Sequence, residues 1–422
     1  MTNGSFTGTN AALIALFKLV GPTVIRIGAD DVDKETWNAA TLPGPGDGPY
    51  PATVGTKMVD DLGAMLTATG AKVIYGVNFE HDMPANSAAE ATYVQTTLGN
   101  SVFGFEIGNE INRFGSWTTL KPEWESIAAA IMAASPGAHL IGPAAGGGDQ
   151  TSLSTPFAAD EASKVILLTQ HFYEGTAGTA TATVAQLMTA DPFPMTSGQG
   201  YIDMLKVMNT AATTNKIADG FRVGECNTFA GHGEAGVSNA LISALWSLDY
   251  MFTGAKYGAA GVNFHGGQVG MDGSKPFEYA PIDEAGGAVT GAAPLFYGML
   301  LFNLAGTGTS LATTATAGSL VFTGYAIELS GGGTSVVLVN KDTTSAVQAT
   351  VDVGTSVASA SVIYLQGPTP ASLTATTGIT LAGAGITPTG TWARNAPYAL
   401  TPSGTSFSVL VPPASAALVR VQ

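Results

Sequence analysis

The feature that most constrains this fold is an alternation of short apolar runs with helix-like segments between residues 23 and 305. The runs have the length of buried strands, and the segments between them carry apolar residues at helical spacing. Strands that alternate with helices at this density predict a parallel sheet covered by helices. The expected strands are 23–27, 71–79, 102–108, 139–145, 164–173, 221–227 and 260–267, and the expected helices 10–20, 55–69, 86–98, 121–134, 156–163, 198–213, 236–253 and 292–305.

Polar side chains collect where these strands end. In an α/β barrel the carboxyl ends of the strands carry the active site. The sequence therefore predicts the α/β class and a TIM-type (β/α)8 barrel over residues 1–305, with its site at this edge. The strand-end residues are Arg26, Asn78, Glu110, His171, Tyr173, Glu225, Asn227, Asn263 and His265.

The pattern changes after residue 306. The strands become short, Gly, Thr and Ser turns join them, and no helical period appears. This is typical of an all-β sandwich. We expect a second, C-terminal domain of that type over residues 306–422.

Charge and residue counts narrow the classes of partner and cofactor. The 422 residues carry a formal net charge of −15 with only 16 Lys and Arg, which argues against nucleic acid or an anionic membrane surface. The apolar runs are too short to span a membrane. The five histidines show no metal-ligand spacing, so neither a metal nor another cofactor is expected. The single Cys226 excludes an intrachain disulfide.

Two glutamates at strand ends point to a specific chemistry. Glu110 lies in FGFEIGNEIN and Glu225 in FRVGECN, each at the end of a buried strand. Glycoside hydrolysis needs one carboxylic acid for the leaving oxygen and one carboxylate for the anomeric carbon. Two rigid strands of one barrel can hold this pair in different environments. Cys226 is also a conceivable nucleophile, but strand alternation points its thiol away from the side of Glu225.

The neighbouring polar residues have two interpretations each. Arg26 forms either a structural ion pair or a contact that positions the nucleophile. His171 and Tyr173 are either buried at the barrel rim or face the site, where a tyrosine hydroxyl would hold the nucleophile. His265 has the same two interpretations, burial at the barrel rim or a position facing the site. Asn109 stands beside the acid, where an amide can bond the sugar 2-hydroxyl.

The motif set resembles that of the clan A glycoside hydrolases, and among them family 79, the β-glucuronidase and heparanase-like group. The resemblance implies that Glu110 is the general acid/base, Glu225 the nucleophile and Asn109 the 2-hydroxyl partner, in a retaining reaction with carboxyl groups about 5–5.5 Å apart. It also implies a secreted or periplasmic protein, although no signal peptide is visible at the start of this chain. The motifs are VIRIGAD, FGFEIGNEIN, HFY, RVGECNTF, GVSNALISALWSLDYMF, GVNFHGG and PLFYGMLLF.

The chain departs from the family pattern in three places. The family's acid/base follows the fourth strand and its nucleophile the seventh, whereas here they follow the third and sixth, so we expect a barrel that lacks its first strand. Ala230 and His232 stand where the family's glucuronidases carry a tyrosine after the nucleophile. In the next loop Lys275 and Tyr279 are candidates for a sugar carboxylate.

These features favour an exo-β-glucuronidase without an obligate protein partner. Two alternatives stay open, a retaining β-glycosidase for a neutral sugar and a non-catalytic carbohydrate-binding homologue. The expected substrate-binding residues are Arg26, Asn78, Asn109, His171, Tyr173, Asn227, His265, Lys275 and Tyr279.

Overall fold

The computed structural model describes residues 5–40, 53–81, 83–191, 200–267, 277–285 and 288–422. Its first sheet has seven parallel strands that follow one another in chain order. Helices cover the outside, so the expected α/β barrel is confirmed. The strands are β1 Val24–Ile27, β2 Lys72–Val77, β3 Val102–Ile107, β4 Leu140–Ala145, β5 Val165–Tyr173, β6 Phe221–Asn227 and β7 Ala259–Phe264.

The helices pack apolar faces against this sheet. Helix α4, Trp117–Ala134, begins at Trp117 rather than at the expected residue 121, although Pro122 lies inside it. The buried Trp117 ring contacts Trp124 and Phe157, with centroids 6.1 and 5.0 Å away, and this packing offsets the hydrogen bond that proline omits. The helices are α1 Ala11–Val20, α2 Thr56–Thr69, α3 Pro84–Leu98, α4 Trp117–Ala134, α5 Thr155–Glu161, α6 Tyr201–Thr214, α7 Leu241–Lys256 and α8 Pro294–Ala305.

The sheet is a nearly closed barrel with a seam between β7 and β1. Over the described ranges, no backbone ladder joins these two strands. A side chain bridges them instead, because Asn263 Nδ2 donates to the Val24 carbonyl at 2.8 Å. The expected seven-stranded count is thus confirmed, with Glu110 after the third strand and Glu225 on the sixth.

Side chains fill the barrel interior in layers. The layer nearest the amino ends of the strands is apolar and includes Ile74, Ile141 and Leu167. The layer above it is polar, since strand alternation brings Arg26 and Glu106 inward at that level. This polar layer lies directly beneath the carboxyl ends of the strands, where the predicted site residues are.

A hairpin precedes helix α8, formed by β8 Ile282–Ala285 and β9 Ala288–Ala292. Antiparallel strands form the region after that helix, namely β10 Gly308–Leu311, β11 Phe322–Leu329, β12 Thr334–Asn340, β13 Val347–Asp352, β14 Ala360–Gln366, β15 Thr380–Leu381, β16 Tyr398–Leu400, β17 Pro402–Ser403, β18 Ser406–Val411 and β19 Ser415–Val421.

These later strands form two sheets. The larger sheet runs β10-β11-β12-β19-β14-β15 with β16 also on β14, and the smaller one runs β13-β18-β17. The expected boundary between the barrel domain and a second domain, at residue 305, stays a prediction.

The larger antiparallel sheet is covered on both faces. On β12, Val337 and Val339 belong to the same core cluster as the barrel helices, whereas Val336 and Leu338 pack with the smaller sheet. Side chains that alternate between the two faces of β12 therefore belong to two different cores.

Among the described residues, the helices are too short or too polar to span a bilayer.

A buried ion pair also joins the barrel to this sheet. Lys341 Nζ lies 2.7 Å from Asp249 Oδ2 on α7, and the two side chains are 1% and 2% exposed. The other oxygen of Asp249 accepts hydrogen bonds from the hydroxyls of Thr323 at 2.6 Å and Tyr325 at 2.7 Å. Because removing one partner would leave a buried charge, this contact fixes the two parts of the chain against each other.

Candidate active site

Glu110 emerges from the barrel in a restrained backbone conformation. Its φ of 47° and ψ of 49° lie in the left-handed region, which residues with a side chain rarely adopt. The turn is held because its amide donates to the Ala144 carbonyl at 2.7 Å. Gly146 leaves room for the carboxyl group, since a Cβ there would lie 2.6 Å from Cδ of Glu110. The local structure therefore aims this carboxyl group at one place.

Two cationic or protonatable groups surround the Glu110 carboxyl. His171 Nδ1 lies 3.1 Å from Oε1, and Arg113 contacts Oε2. Burial alone would raise the pKa of Glu110, but His171 and then Arg113 outweigh burial and hold that pKa below its ordinary value. This glutamate is thus ionised near neutral pH. The expected proton donor therefore requires acidic conditions or a bound ligand.

Glu225 is held by donors on both of its oxygens. Arg26 Nη1 donates to Oε2 at 2.9 Å, and the Tyr173 hydroxyl donates to Oε1 at 2.8 Å. Burial would raise the pKa of Glu225, but nearby histidines, Arg26 and Tyr173 hold it far below its ordinary value. Burial also lowers the pKa of His265, so this ring carries a charge only in acid, and Arg26 supplies the positive charge beside Glu225 near neutral pH.

The two glutamates converge from different strands on one small region. A carboxylate oxygen of Glu110, a ring nitrogen of His171 and a carboxylate oxygen of Glu225 all lie within 4.8 Å of one another. Two carboxylates and an imidazole are groups that can also ligate a metal ion. Chemically, the arrangement presents an ionised carboxylate opposite a second carboxyl group that can gain or lose a proton.

Arg26 is the centre of the buried hydrogen bonds behind the site. Besides Glu225, it donates through Nε to Glu106 Oε2 at 2.5 Å and through Nη2 to Asn109 Oδ1 at 2.8 Å. The Asn109 amide nitrogen donates to Asp30 Oδ1 at 3.1 Å. Of the alternatives for Arg26, the structure therefore shows an ion pair with the candidate nucleophile.

His265 joins two tyrosine hydroxyls beside Glu225. Its Nδ1 lies 3.0 Å from the Tyr173 oxygen and 2.9 Å from the Tyr279 oxygen. Because Tyr173 donates its only proton to Glu225, its oxygen can accept but not donate a second hydrogen bond. We therefore infer that Nδ1 of His265 carries a hydrogen, which leaves the hydroxyl hydrogen of Tyr279 for another acceptor.

Two predicted substrate contacts lie in the wall of the site. Asn227 is fully buried, and its amide donates to the carbonyls of His265 at 2.8 Å and Tyr279 at 3.1 Å. Asn78 donates to the Glu35 carbonyl at 2.7 Å and accepts from a backbone amide at 3.0 Å. Both side-chain amides are hydrogen-bonded to backbone groups, so we infer that these asparagines hold loops in place rather than bind substrate. The predicted Lys275 lies outside the described residues.

Sequence reasoning missed several residues that build the site. Glu106 and Thr169 lie on strand positions that face the barrel interior, and both are fully buried. The Asp33 carboxylate accepts a hydrogen bond from the backbone amide of Asn109 at 2.9 Å, and burial raises the pKa of Asp33 to about 6. The available signal was a charged residue within the apolar run FGFEIGN, because an unpaired charge is almost never fully buried. Arg113, three residues after Glu110, gave no such signal.

The fold is similar to that of solved glycoside hydrolases. A 4-O-α-L-rhamnosyl-β-D-glucuronidase from Fusarium oxysporum, solved as a Rha-GlcA complex, has 22% identity and a TM-score of 0.77, over 98% of this chain and 92% of that one. A family 51 arabinofuranosidase from Xanthomonas axonopodis pv. citri has 16% identity and a TM-score of 0.64, over 97% and 88%. A bifunctional glucanase-xylanase from a metagenome library has 13% identity and a TM-score of 0.67, over 99% and 96%.

At these identities the likeness shows the shared fold. No protein-family model and no curated protein sequence matches the chain. The chain therefore has the architecture of barrel glycoside hydrolases with C-terminal antiparallel sheets.

Proposed function

We propose that this protein is a retaining glycoside hydrolase in which Glu225 is the nucleophile and Glu110 the general acid/base. The observation that carries the proposal is the convergence of the two carboxyl groups, with oxygens within 4.8 Å of each other. Retaining enzymes place their carboxyl groups about 5–5.5 Å apart, whereas inverting enzymes need roughly 6.5–9.5 Å to admit a water. The 4.8 Å limit refers to one oxygen of each group rather than to the separation of the whole carboxyl groups, and an approach this close supports direct attack by one glutamate.

The surroundings of each glutamate suit its proposed step. In the first step a Glu225 oxygen bonds to the anomeric carbon while the glycosidic bond breaks and Glu110 gives its proton to the leaving oxygen. In the second step Glu110, now a carboxylate, takes a proton from water as that water attacks the carbon and releases Glu225. Arg26 and Tyr173 keep Glu225 ionised for attack and receive its charge again at the end.

Within this reaction class we propose an exo-β-glucuronidase. The support is the motif resemblance together with the structural likeness to a rhamnosyl-β-D-glucuronidase. Tyr279 lies beside the nucleophile through its 2.9 Å contact with His265, and we place a sugar oxygen near its hydroxyl group. Arg26 holds the Asn109 side-chain oxygen at 2.8 Å and Asp30 accepts one amide hydrogen at 3.1 Å, so we place the 2-hydroxyl against the second amide hydrogen.

Hydrolysis of an aryl β-glucuronide tests the proposal, with the wild-type protein compared to Glu225→Gln. The amide cannot form the glycosyl ester, so turnover should fall by about a thousandfold or more. Glu125→Gln is the matched control, because that glutamate is on the outer helix α4 and bonds Lys164 at 3.1 Å. Proton NMR of the first product should show the β-anomer; the α-anomer would reject retention, and turnover by Glu225→Gln would reject its role.

A neutral β-glycoside is the second candidate. Among the described residues, the arginines at the site are already committed, since Arg26 bonds Glu106 and Glu225 while Arg113 bonds Glu110 and Asp30. A glucuronide carboxylate would thus have to rely on other donors. An aryl glycoside panel decides between the sugars, and sugar binding without turnover of any member would favour a non-catalytic carbohydrate-binding protein.

A further inference from the structure

We propose that Glu106 and Thr169 are positioning residues that connect the two glutamates through the barrel interior. The inference rests on the proposed glycosidase function, because it concerns how that site is kept in register. Neither residue reaches the open side of the site, since both are fully buried. They lie in the polar layer beneath the carboxyl ends of β3 and β5.

The first half of the connection runs from the nucleophile to Glu106. Arg26 Nη1 donates to Glu225 Oε2 at 2.9 Å, and its Nε donates to Glu106 Oε2 at 2.5 Å. One guanidinium thus lies between two buried carboxylates, which fixes its plane and its distance from Glu225. It also divides one positive charge between them, so Glu225 keeps more electron density for attack than it would in an exclusive ion pair.

The second half runs from Glu106 to the acid/base. The Thr169 hydroxyl donates to Glu106 Oε1 at 2.6 Å and accepts from the Ala144 amide at 3.0 Å. The Ala144 carbonyl in turn accepts from the Glu110 amide at 2.7 Å. Ala144 has a φ of 53°, in the same left-handed region as Glu110. Two restrained turns therefore depend on one buried hydroxyl.

The two halves form one uninterrupted hydrogen-bonded chain. Its members come from strands β1, β3, β4, β5 and β6, so the chain crosses the barrel under the site. The wall at Thr169 is closely fitted, since a Cβ at Gly224 would lie 3.1 Å from the threonine Cβ. A shift at Glu106 would thus reach both glutamates, and misplacing a reacting group by about 1 Å can cost roughly a hundredfold in rate.

The two halves predict different kinetic defects. Nucleophilic attack is needed for every substrate, whereas acid assistance matters most when the leaving group is basic. Glu106→Gln keeps an oxygen that can accept from Thr169 but removes the charge that faces Arg26, so its effect should fall on Glu225. It should therefore lower kcat/KM for activated and unactivated aryl glycosides alike, by about 10- to 100-fold. Thr169→Val acts through Ala144 on Glu110, so its loss should be several-fold larger for the poor leaving group.

Two matched variants accompany the test. Glu90→Gln also changes a buried glutamate, one that lies on α3 and accepts from the Tyr75 hydroxyl at 2.8 Å, and should leave kcat/KM unchanged. Thr169→Ser keeps the hydroxyl and should restore the leaving-group dependence of the wild type. Thermal unfolding of each variant separates loss of stability from loss of position.

Failure of this inference and failure of the proposed function would give different results. A wild-type protein that hydrolyses no aryl glycoside would reject the function. An active wild type with Glu106→Gln and Thr169→Val within twofold of its kcat/KM would overturn the inference and leave the function intact. An equal defect in Thr169→Val and Thr169→Ser, with no change in leaving-group dependence, would also overturn it.

Discussion

Tyr173→Phe removes one hydroxyl from the site and leaves the ring. Besides the 3.0 Å contact of its oxygen with His265 Nδ1, the side chain loses the 2.8 Å hydrogen bond to Glu225 Oε1, a buried bond to a charged acceptor. Such a bond is worth about 1.5–3 kcal/mol, which corresponds to roughly a 10- to 150-fold change in rate. Arg26 still holds the other oxygen, so Glu225 stays ionised but can rotate. We therefore expect kcat/KM to fall within that range without unfolding.

The same substitution has a defined effect on pH dependence. The Tyr173 bond stabilises the ionised form, so its loss raises the pKa of Glu225. The acid limb of kcat/KM, below which the nucleophile is protonated, should move to higher pH. Burial favours the neutral form of Glu225, and without the Tyr173 hydroxyl one fewer hydrogen-bond donor stabilises the ionised form.

The assay is hydrolysis of an aryl β-glucuronide, or of whichever aryl glycoside the wild type accepts, across acidic to neutral pH. Tyr93→Phe is the control, since its exposed hydroxyl also donates to a carboxylate, Asp60, at 2.8 Å. An unchanged rate and an unchanged acid limb in Tyr173→Phe would refute the reasoning. A shift to lower pH would refute it equally.

Three further contacts are probed by substitution. Arg113→Gln removes a charge that lowers the pKa of Glu110, so the alkaline limb of kcat/KM should move to higher pH, and a shift to lower pH would contradict this. Lys341→Met leaves Asp249 buried and unpaired and should reduce the free energy of unfolding by about 3–5 kcal/mol in urea titrations. Adding Asp249→Asn should recover part of that loss; a further loss would count against the ion-pair argument. Asn263→Ala removes the side-chain bridge to β1 and should cost about 1–3 kcal/mol, measured the same way.

The residues that could be predicted from sequence are those with local signals. Strand ends expose the next side chains at one edge of a parallel sheet, so Glu110 and Glu225 could be paired across a long stretch of chain. The same rule placed Tyr173, which does contact the candidate nucleophile. It also selected Asn227, whose amide turned toward two backbone carbonyls, because loop geometry decides where a strand-end amide points.

The residues that could not be predicted depend on partners from distant strands. Glu106 is compatible with burial only because Arg26 and Thr169 reach it from β1 and β5. Its role is invisible until those strands are placed. Helix α4 is a smaller example, since Trp117 extends it past an unfavourable proline by packing against Phe157.

The seam between β7 and β1 gives the ion pair of Arg26 and Glu225 a second consequence. Arg26 lies on the edge strand β1, and Glu225 lies on β6, next to the other edge strand β7. Their 2.9 Å contact therefore holds the two sides of the seam together. In the proposed cycle Glu225 becomes an uncharged ester, so its contact with Arg26 is weaker as long as the ester exists. Arg26 then keeps Glu106 and Asn109 as partners, so β1 is held by the barrel floor until hydrolysis restores the charge. If the proposed mechanism holds, we therefore expect the barrel to be least tightly closed while the sugar is covalently attached.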